Sequence, residues 1–269
     1  ARQFNVPTPH LQFVVRAQHQ ISHIERQLAG RDSFVLKPAK GSGGKGILVV
    51  VGRSGNDFIK SSGAIISMTD IRRHMSNTLA GLYSLGGARD VVIIEDLIAL
   101  DDCFAGYSHE GVPDIRVIVF KGYPIMAMLR LATHASDGKA NLHQGAVGVG
   151  LALDSGRCLN AVQFTRKIHS HPDTGRALGD IHIAGWRDIL VLAARCYEMT
   201  SLGYLGTDLV LDRSRGPQLL ELNARPGLSI QIANGQGLLP RLRHVEQVAT
   251  GQRHSAEQRV DYVMGRFEA

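Results

Sequence analysis

The chain has 269 residues, of which 44% are hydrophobic and 20% are charged, and its formal net charge is +6. This length and composition suit one large globular domain or two subdomains, and no apolar run reaches the ~18 residues of a membrane-spanning helix. The positive charge suits nucleic acid or a small anionic substrate. Because only 6% of residues are aromatic and no basic cluster is interleaved with them, we expect no nucleic-acid partner.

The cysteines indicate the redox environment in which the protein works. Three scattered cysteines, Cys103, Cys158 and Cys196, form no CxxC pair. This pattern fits a reducing environment better than a disulfide framework, so we expect a cytoplasmic protein. The chain opens without methionine in an extended, proline-containing segment, and we expect that a further segment precedes it in the full-length protein.

The first third of the chain alternates predicted strands and helices. Residues 11–28 are typical of a strand followed by a helix, and residues 67–85 of an amphipathic helix with Ile71, Met75, Leu79 and Leu82 on one face. Short apolar runs predict three further strands, at 34–37, 47–51 and 91–98.

A glycine-rich loop, 40–46, lies between two of these strands. Its glycines match the dinucleotide fingerprint literally, but that fingerprint must open a helix, and a strand follows here. The P-loop pattern fails because Ala39 and Gly46 stand where it requires glycine and Ser or Thr. The remaining interpretation is a flap whose backbone N–H groups, with Lys40 and Lys45, close over phosphates. A plain turn without a ligand is the alternative.

The middle of the chain predicts a hairpin of two apolar strands, 114–120 and 125–130, that carry Arg116 and Arg130. Arginine is rarely buried unless it is paired, so each needs an anion, either a ligand or a protein carboxylate. A glycine-interrupted strand at 145–153, an irregular stretch at 155–185 and a helix at 186–200 follow. His169 and His171, in the irregular stretch, are expected at the surface, since two histidines without a third ligand seldom bind metal.

The most informative stretch is a predicted hairpin over 205–223. If a four-residue loop closes it, Asp208 faces Glu221, and Asn223 lies on the same face. Two carboxylates ~4 Å apart repel by about 4 kcal/mol at an effective dielectric of ~20, so one is protonated or a cation lies between them. An all-oxygen set of two acids and one amide suits Mg²⁺. An edge hairpin with solvated acids is the alternative. A short helix interrupted at Pro240 and a basic tail complete the chain.

The order of these motifs resembles the ATP-grasp superfamily of carboxylate–amine ligases, and within it the α-L-glutamate ligase-like proteins related to the ribosomal-protein glutamate ligase. The resemblance spans roughly residues 4 to 245 and is carried by the stretches 37–47, 111–116, 141–149 and 221–227. It implies an α+β fold in which two subdomains with antiparallel sheets grip ATP between them. The implied divisions are 1–98 with the flap, 99–250 with the metal hairpin, and 251–269 as a basic tail.

The resemblance also implies a role for individual residues. The residues implied to bind ATP are Lys37, Ser42, Gly43, Gly44, Lys45, Gly46, Glu95, Asp96, Leu97, Ile98, Asp101 and Asn141. Those implied to contact the transferred phosphate or the substrate are Arg116, Arg130 and Arg225. Those implied to hold Mg²⁺, or Mn²⁺ in its place, are Asp208, Glu221 and Asn223.

The implied reaction begins when a carboxylate attacks the γ-phosphate of ATP and forms an acylphosphate. An amine then displaces phosphate to form an amide. The substrates would be a small-molecule or peptide carboxylate and an amino acid or other amine. Two alternatives stay open: another ATP-dependent phosphotransferase on the same nucleotide cradle, and a non-catalytic nucleotide- or nucleic-acid-binding module. The sequence nominates no general base for the amine, names neither substrate, and leaves the oligomeric state open.

Overall fold

The computed structural model describes residues 1–41, 43–249 and 254–267, which divide into two compact units. The first, here called the flap unit, is Pro9–Ile98. The second, the hairpin unit, combines Ala1–Thr8 with the described part of 99–269. Within the described ranges, no helix has both the length and the apolar character needed to cross a membrane.

The flap unit, apart from Ser42, contains one antiparallel sheet of six strands in the order β1-β6-β2-β3-β4-β5. The strands are β1 (Leu11–Val15), β2 (Phe34–Pro38), β3 (Leu48–Ser54), β4 (Asp57–Lys60), β5 (Ile65–Ile66) and β6 (Val92–Glu95). Its helices are α1 (Ile24–Leu28) and α2 (Met68–Leu79). The predicted strands of this unit are therefore present, and β4 and β5 extend the sheet beyond them.

Helix α2 begins with a reciprocal capping arrangement. The Ser67 hydroxyl oxygen accepts from the Asp70 N–H at 3.2 Å, while the Asp70 carboxylate accepts from the Ser67 N–H at 3.0 Å. These two bonds satisfy N–H groups that the first helical turn leaves unpaired. The predicted apolar stripe then packs into one core with the sheet; its buried members are Ile71, Met75 and Leu79, with Phe34 and Leu36 of β2.

The end of α2 differs from the prediction. The helix stops at Leu79, six residues before the predicted limit of 85, and Leu82 is 67% exposed. Gly81 has a φ of +88°, and a Cβ there would lie 2.5 Å from the carbonyl oxygens of Gly87 and Ala88. A left-handed glycine in close contact with backbone is a helix stop. The apolar period that predicted the helix thus extends to Leu82, although the helix itself ends at Leu79.

The described part of the hairpin unit contains a second antiparallel sheet, with seven strands in the order β11-β10-β9-β8-β7-β12-β13. The strands are β7 (Asp114–Phe120), β8 (Tyr123–Leu131), β9 (Val147–Leu151), β10 (Cys158–Gln163), β11 (Arg166–Ile168), β12 (Tyr204–Asp212) and β13 (Gly216–Asn223). The helices are α3 (Trp186–Thr200), α4 (Ile230–Asn234), α5 (Leu239–Val248) and α6 (Ala256–Arg266).

Two helices lie on different parts of this sheet. Helix α3 has the predicted bounds and packs against β7, β8, β12 and β13, with Trp186, Ile189 and Ala193 buried in the main core. Helix α4 packs against β8, β9 and β10, and it sits close because β9 carries glycine there. A Cβ at Gly150 would lie 2.4 Å from the Ala233 carbonyl oxygen. Gly150 therefore makes room for helix α4.

Three parts of the hairpin unit differ from the sequence predictions. The stretch 155–185, expected to be irregular, contains strand β10 and the edge strand β11. Pro240 lies in the first turn of α5, where its missing N–H costs nothing, so it does not interrupt a helix. The segment expected as a basic tail contains α6, in which Val260 and Val263 are buried. Ser255 and Gln258 form a capping box before these valines, a signal that the sequence carried.

Candidate active site

The hairpin β12–β13 positions the acidic residues. Its loop has three residues, 213–215, because Asp212 pairs with Gly216, so the predicted four-residue loop was one residue too long. The Asp212 carboxylate organises this turn by accepting from the N–H and hydroxyl of Ser214 at 2.9 and 2.8 Å. A bulge then places Leu220 between the pairs Leu209–Leu219 and Asp208–Glu221 and restores the register. Asp208 therefore faces Glu221, as predicted.

Two arginines neutralise Asp208. Arg116 donates from Nε to Oδ1 of Asp208 at 2.6 Å and from Nη2 to Oδ2 at 2.5 Å. Arg130 donates from Nε and Nη2 to both oxygens of Asp114 at 2.5 and 2.7 Å, and its Nη2 also lies 2.8 Å from Oδ2 of Asp208. The two arginines thus pair with protein carboxylates, one of the two possibilities that the sequence left open. The set Asp114, Arg116, Arg130 and Asp208 is called the charged cluster below.

The register explains the cluster. Asp114 pairs with Arg130 across β7 and β8, and Arg116 pairs with Asp208 across β7 and β12. Residues directly opposite each other share a face, so the four side chains extend from the same side of three adjacent strands. Asp208 is 4% exposed and Asp114 is 7% exposed, and buried charges need such partners. The sequence predicted a role for Arg116 but none for Asp114, which belongs to the same stretch, 111–116.

Burial affects the two aspartates differently. Burial alone would raise the pKa of Asp208, but Arg130 and Arg116 outweigh it and hold that pKa below its ordinary value. Burial raises the pKa of Asp114 to about 6, because Arg130 compensates only in part and the charge of Asp208 opposes ionisation. Asp208 is therefore ionised at neutral pH, and Asp114 is the group of the cluster that titrates closest to neutrality.

The other two candidate metal ligands lie next to Asp208. Glu221 is exposed opposite it, and Asn223 donates from Nδ2 to Oδ2 of Asp208 at 3.3 Å, so that its amide oxygen points away from that carboxylate. Within the described residues, no three His, Cys, Asp or Glu side chains are close enough to hold a metal. The candidate ligands Asp208, Glu221 and Asn223 are two carboxylates and one amide. Mg²⁺ uses few carboxylates when substrate phosphates and water complete its shell. In donor chemistry these residues fit Mg²⁺.

Arg225 and Asn141, two further predicted residues, lie in loops of the same unit. Arg225 is exposed just after β13. The next residue, Pro226, packs closely on Gly206, since a Cβ added to Gly206 would lie 2.7 Å from the proline Cβ. Asn141 accepts from the His143 N–H through Oδ1 at 3.0 Å, so it caps the loop that it begins. The structure therefore gives Asn141 a local structural role.

In the flap unit, Lys37 and Glu95 form an ion pair. Lys37 Nζ lies 2.6 Å from Glu95 Oε2, and the two side chains are 20% and 12% exposed. Glu95 is the Cα partner of Val35, so Lys37 is its diagonal neighbour on the same face of the sheet. The alternation that buries Phe34 and Leu36 turns Lys37 to the other face, together with Glu95.

The glycine-rich loop is anchored at its last residue. The Gly46 carbonyl oxygen lies 2.9 Å from His74 Nε2, and a Cβ at Gly46 would lie 2.5 Å from the ring of Tyr83. Gly43 and Gly44 have φ values of +62° and +74° with open space around them, and Lys45 is exposed. The predicted residue Ser42 lies outside the described residues. Lys40, at the start of the loop, donates its N–H to Asp90 at 2.9 Å. The described part of the loop therefore has the glycine conformations that a flap requires, and contacts hold it at both ends.

The segment after β6 was predicted to contact adenine through Glu95, Asp96, Leu97 and Ile98. Asp96 binds back to β1, since Gln12 Nε2 donates to Oδ1 and His10 Nδ1 lies 3.7 Å from Oδ2. Its backbone N–H donates to the His10 carbonyl at 3.0 Å. Leu97 and Ile98 have no regular secondary structure, which leaves their backbone groups outside the sheet ladder. Because the sheet does not use them, the backbone groups of Leu97 and Ile98 are compatible with the predicted contact to adenine.

Asp101, the predicted ribose partner, caps a short helical turn. Its Oδ1 accepts from the Cys103 N–H at 2.9 Å, and this bond lowers the pKa of Asp101. A cavity of about 640 Å³ lies beside this turn, lined by Asp102, Cys103, Tyr107, Arg176, Ala177, Asp180 and His182. Sequence reasoning missed this cavity because its walls come from segments far apart in the chain.

Of the histidine pair His169 and His171, the ring of His171 has both nitrogens engaged and none left for a metal. His169 is exposed, as expected, but His171 is fully buried. Its Nδ1 accepts from the Asp173 N–H at 3.3 Å, and its Nε2 lies 3.3 Å from the Ala132 carbonyl oxygen. Both ring nitrogens thus serve the fold, and the surface position expected for His171 was wrong.

Comparisons with known proteins identify the family. Similar solved structures include the D-cycloserine synthetase DcsG (14% identity, TM-score 0.47, 99% of this chain and 67% of that one). D-alanyl-alanine synthetase A of Vibrio cholerae is 12% identical with a TM-score of 0.47, over 98% of this chain and 62% of that one. The ATP-grasp ligase PsnB with a minimal precursor is 13% identical with a TM-score of 0.45, over 93% of this chain and 57% of that one. The chain thus spans little more than half the length of PsnB. No curated protein sequence matches it. The sugar-transfer associated ATP-grasp family matches residues 1–247. The chain therefore belongs to that family and has the α+β ATP-grasp fold, with two antiparallel sheets and helices.

Proposed function

We propose that the protein is an ATP- and Mg²⁺-dependent carboxylate–amine ligase of the glutamate ligase-like type, which forms an amide through an acylphosphate. The observation that carries this proposal is the charged cluster with Asn223 and Glu221 beside it. Two arginines and a set of oxygen ligands on one sheet face are what phosphoryl transfer requires, since catalysis there is positioning and charge stabilisation.

The arginines are held in fixed orientations. Arg116 and Arg130 each use Nε and Nη2 on carboxylates, so Nη1 is the nitrogen that takes no part in those bonds. We infer that these Nη1 groups meet the transferred phosphate, because a bidentate pairing fixes the plane of a guanidinium. Arg225, exposed in the loop after β13, would bind the substrate carboxylate. The cluster is thus a preorganised support for a phosphate site.

Glu221, Asn223 and Asp208 would hold Mg²⁺, or Mn²⁺ in its place. The metal would neutralise part of the negative charge of the triphosphate. Asp208 already accepts from Arg116 and Arg130, and Glu221 is the exposed carboxylate of the pair. In the flap unit, Lys37 would bind the inner phosphates, and Gly43, Gly44, Lys45 and Gly46 would cover them. Glu95, Asp96, Leu97 and Ile98 would contact adenine, and Asp101 and Asn141 remain nucleotide contacts in this proposal.

The test is product mass spectrometry with ATP, Mg²⁺ and a panel of carboxylates and amines. The family description associates these proteins with sugar transfer, so the panel includes uronic acids and amino sugars beside amino acids and peptides. We expect ADP release that needs both substrates, and a product mass equal to their sum less one water.

A matched pair of variants makes the test specific. Glu221→Gln removes the exposed candidate ligand, and Glu246→Gln removes an exposed acid on α5. We expect the first to abolish ADP release and the second to retain it. A stable phosphorylated product without an amide would instead indicate a phosphotransferase. Salt-sensitive binding of nucleic acid without ATP turnover would indicate a binding module.

A further inference from the structure

The proposed reaction needs a base that the charged cluster does not provide. An amine is mostly protonated in neutral water, and only its neutral form attacks an acylphosphate. Asp208 and Asp114 are committed to Arg116 and Arg130, and both are buried. A general base must reach the amine and accept a proton from it, and histidine is the side chain that most often does so. A candidate base therefore lies outside the charged cluster.

The loop that follows Asn141 is held in place by several bonds. The Gly145 carbonyl oxygen accepts from Thr133 Oγ1 at 2.9 Å and from Gln163 Nε2 at 2.8 Å. Gly145 has a φ of +102°, and a Cβ there would lie 2.6 Å from the ring of Phe164. With the cap from Asn141, these contacts fix the conformation of the loop. Side chains on it are therefore preorganised, as a catalytic group must be.

This loop lies over the strand beside Arg130. Gly148 of β9 is the Cα partner of Arg130, and a Cβ at Gly148 would lie 2.7 Å from Cδ2 of Leu142. Leu142 therefore covers the position next to Arg130, on the face of the sheet that carries the charged cluster. His143 is the next residue, and it is exposed.

The other neighbour of His143 is the segment that follows Arg225. His143 Nε2 lies 3.4 Å from the hydroxyl oxygen of Ser229, the residue that precedes α4. A separation of this length is at the limit of a hydrogen bond, so an incoming amine can take the place of the hydroxyl. His143 thus lies on a loop beside Arg130 and contacts the segment that follows Arg225, the residue proposed to bind the substrate carboxylate. An exposed imidazole at that junction can reach a second substrate.

Building on the ligase function proposed above, we propose that His143 is the general base that deprotonates the attacking amine. The amine nitrogen forms a bond to the acyl carbon, and the bond from that carbon to the phosphate oxygen breaks. Phosphate leaves with the electron pair and carries away the N–H proton that is lost as the amide forms. His143 Nε2 takes the other proton, which the ammonium group must lose before its nitrogen can attack. Ser229 would hold the ring through its hydroxyl until the amine arrives.

The test compares two nucleophiles on the same acylphosphate. Hydroxylamine is largely unprotonated at neutral pH and can attack without prior deprotonation, whereas an ordinary amine must first lose a proton from its ammonium form. We expect His143→Ala to lower the ratio of amide to hydroxamate about 10²-fold or more. We also expect imidazole added in solution to restore part of the amide product, and the amide rate of the variant to rise with pH more steeply than that of the wild type. His169→Ala, at an exposed histidine of the same unit, should leave the ratio unchanged.

The outcomes separate the two proposals. Equal loss of amide and hydroxamate in His143→Ala, without rescue by imidazole, would show a structural role and overturn this inference alone. Absence of hydroxamate from the wild type with every carboxylate of the panel would overturn the ligase function itself. Thermal unfolding of His143→Ala shows whether a loss of both products comes from misfolding, and His143→Gln provides a second variant that keeps a polar side chain in the loop.

Discussion

Arg130 on β8 reaches Asp208 on β12, and Nη2 of the arginine lies 2.8 Å from Oδ2 of the aspartate, across the intervening strand β7. The same guanidinium binds Asp114 through Nε and Nη2. One buried cation thus joins two carboxylates that would otherwise repel each other. The repulsion that the sequence indicated at Asp208 is offset by arginine side chains of the protein.

This arrangement predicts that Asp208→Asn destabilises the fold. The variant leaves the mostly buried side chains of Arg116 and, in part, Arg130 without their counter-charge, and breaking a buried pair costs about 3–5 kcal/mol. Urea unfolding measures the change in the free energy of unfolding. Glu221→Gln is the matched control, since Glu221 is exposed and surface changes cost about 0.5 kcal/mol or less. Equal stability of the two variants would contradict the role assigned to the cluster.

The raised pKa of Asp114 predicts a pH dependence. Its folded-state pKa is about 6, above the ordinary value of 3.8, so between these pH values the folded chain binds more protons than the unfolded chain. The contribution of this group to the free energy of unfolding therefore falls as pH rises through that window, by on the order of 1–3 kcal/mol.

The control for this prediction is Asp114→Asn. Other titrating groups cancel when the two proteins are compared, so the wild type should gain stability relative to the variant as pH is lowered from 7 to about 4. Chemical unfolding at several pH values gives this difference. A gap that stays constant over the range would show that Asp114 has an ordinary pKa.

The loop glycines predict a position-specific effect. Gly46 and Gly44 both have positive φ, so alanine at either costs about 1–2 kcal/mol. At Gly46 the added Cβ would also collide with the Tyr83 ring, which stacks on His74 at 5.1 Å. Overpacking adds about 1–3 kcal/mol, so Gly46→Ala should lower the free energy of unfolding more than Gly44→Ala. Comparable losses in thermal unfolding would mean that Tyr83 does not fix the loop.

The ion pair in the flap unit predicts an effect on nucleotide binding. If Lys37 binds the inner phosphates, Lys37→Met removes a charge-assisted contact of about 1.5–3 kcal/mol and weakens ATP binding about 10- to 100-fold. Titration calorimetry measures this affinity. Lys167→Met, at an exposed lysine of β11, is the control for general loss of charge. Unchanged affinity in Lys37→Met would exclude Lys37 from the nucleotide site.

Much of the architecture was predictable because short-range rules set it. The period of two placed Asp208 opposite Glu221 and Lys37 on the face away from Phe34. The prediction at Asp208 survived an error in the loop length, since the bulge at Leu220 offset the missing loop residue. Helix α3 was predicted at its observed bounds because its apolar period is strong and long. Strand β11 was missed because it has three residues and lies at the edge of the sheet, and β10 because only two of its six residues, Ala161 and Val162, are buried, which leaves a weak apolar pattern.

The sequence by itself determined which residues share a face, where glycine allows left-handed backbone, and which ordered motifs mark an ATP-grasp protein. These properties depend on residues that are neighbours along one strand, turn or hairpin. Only the tertiary structure decided that Arg116 and Arg130 pair with Asp208 and Asp114, and that His143 lies beside Ser229. Such pairings depend on which strands and loops become neighbours. That choice is made by burial of the whole core and leaves no local period in the sequence.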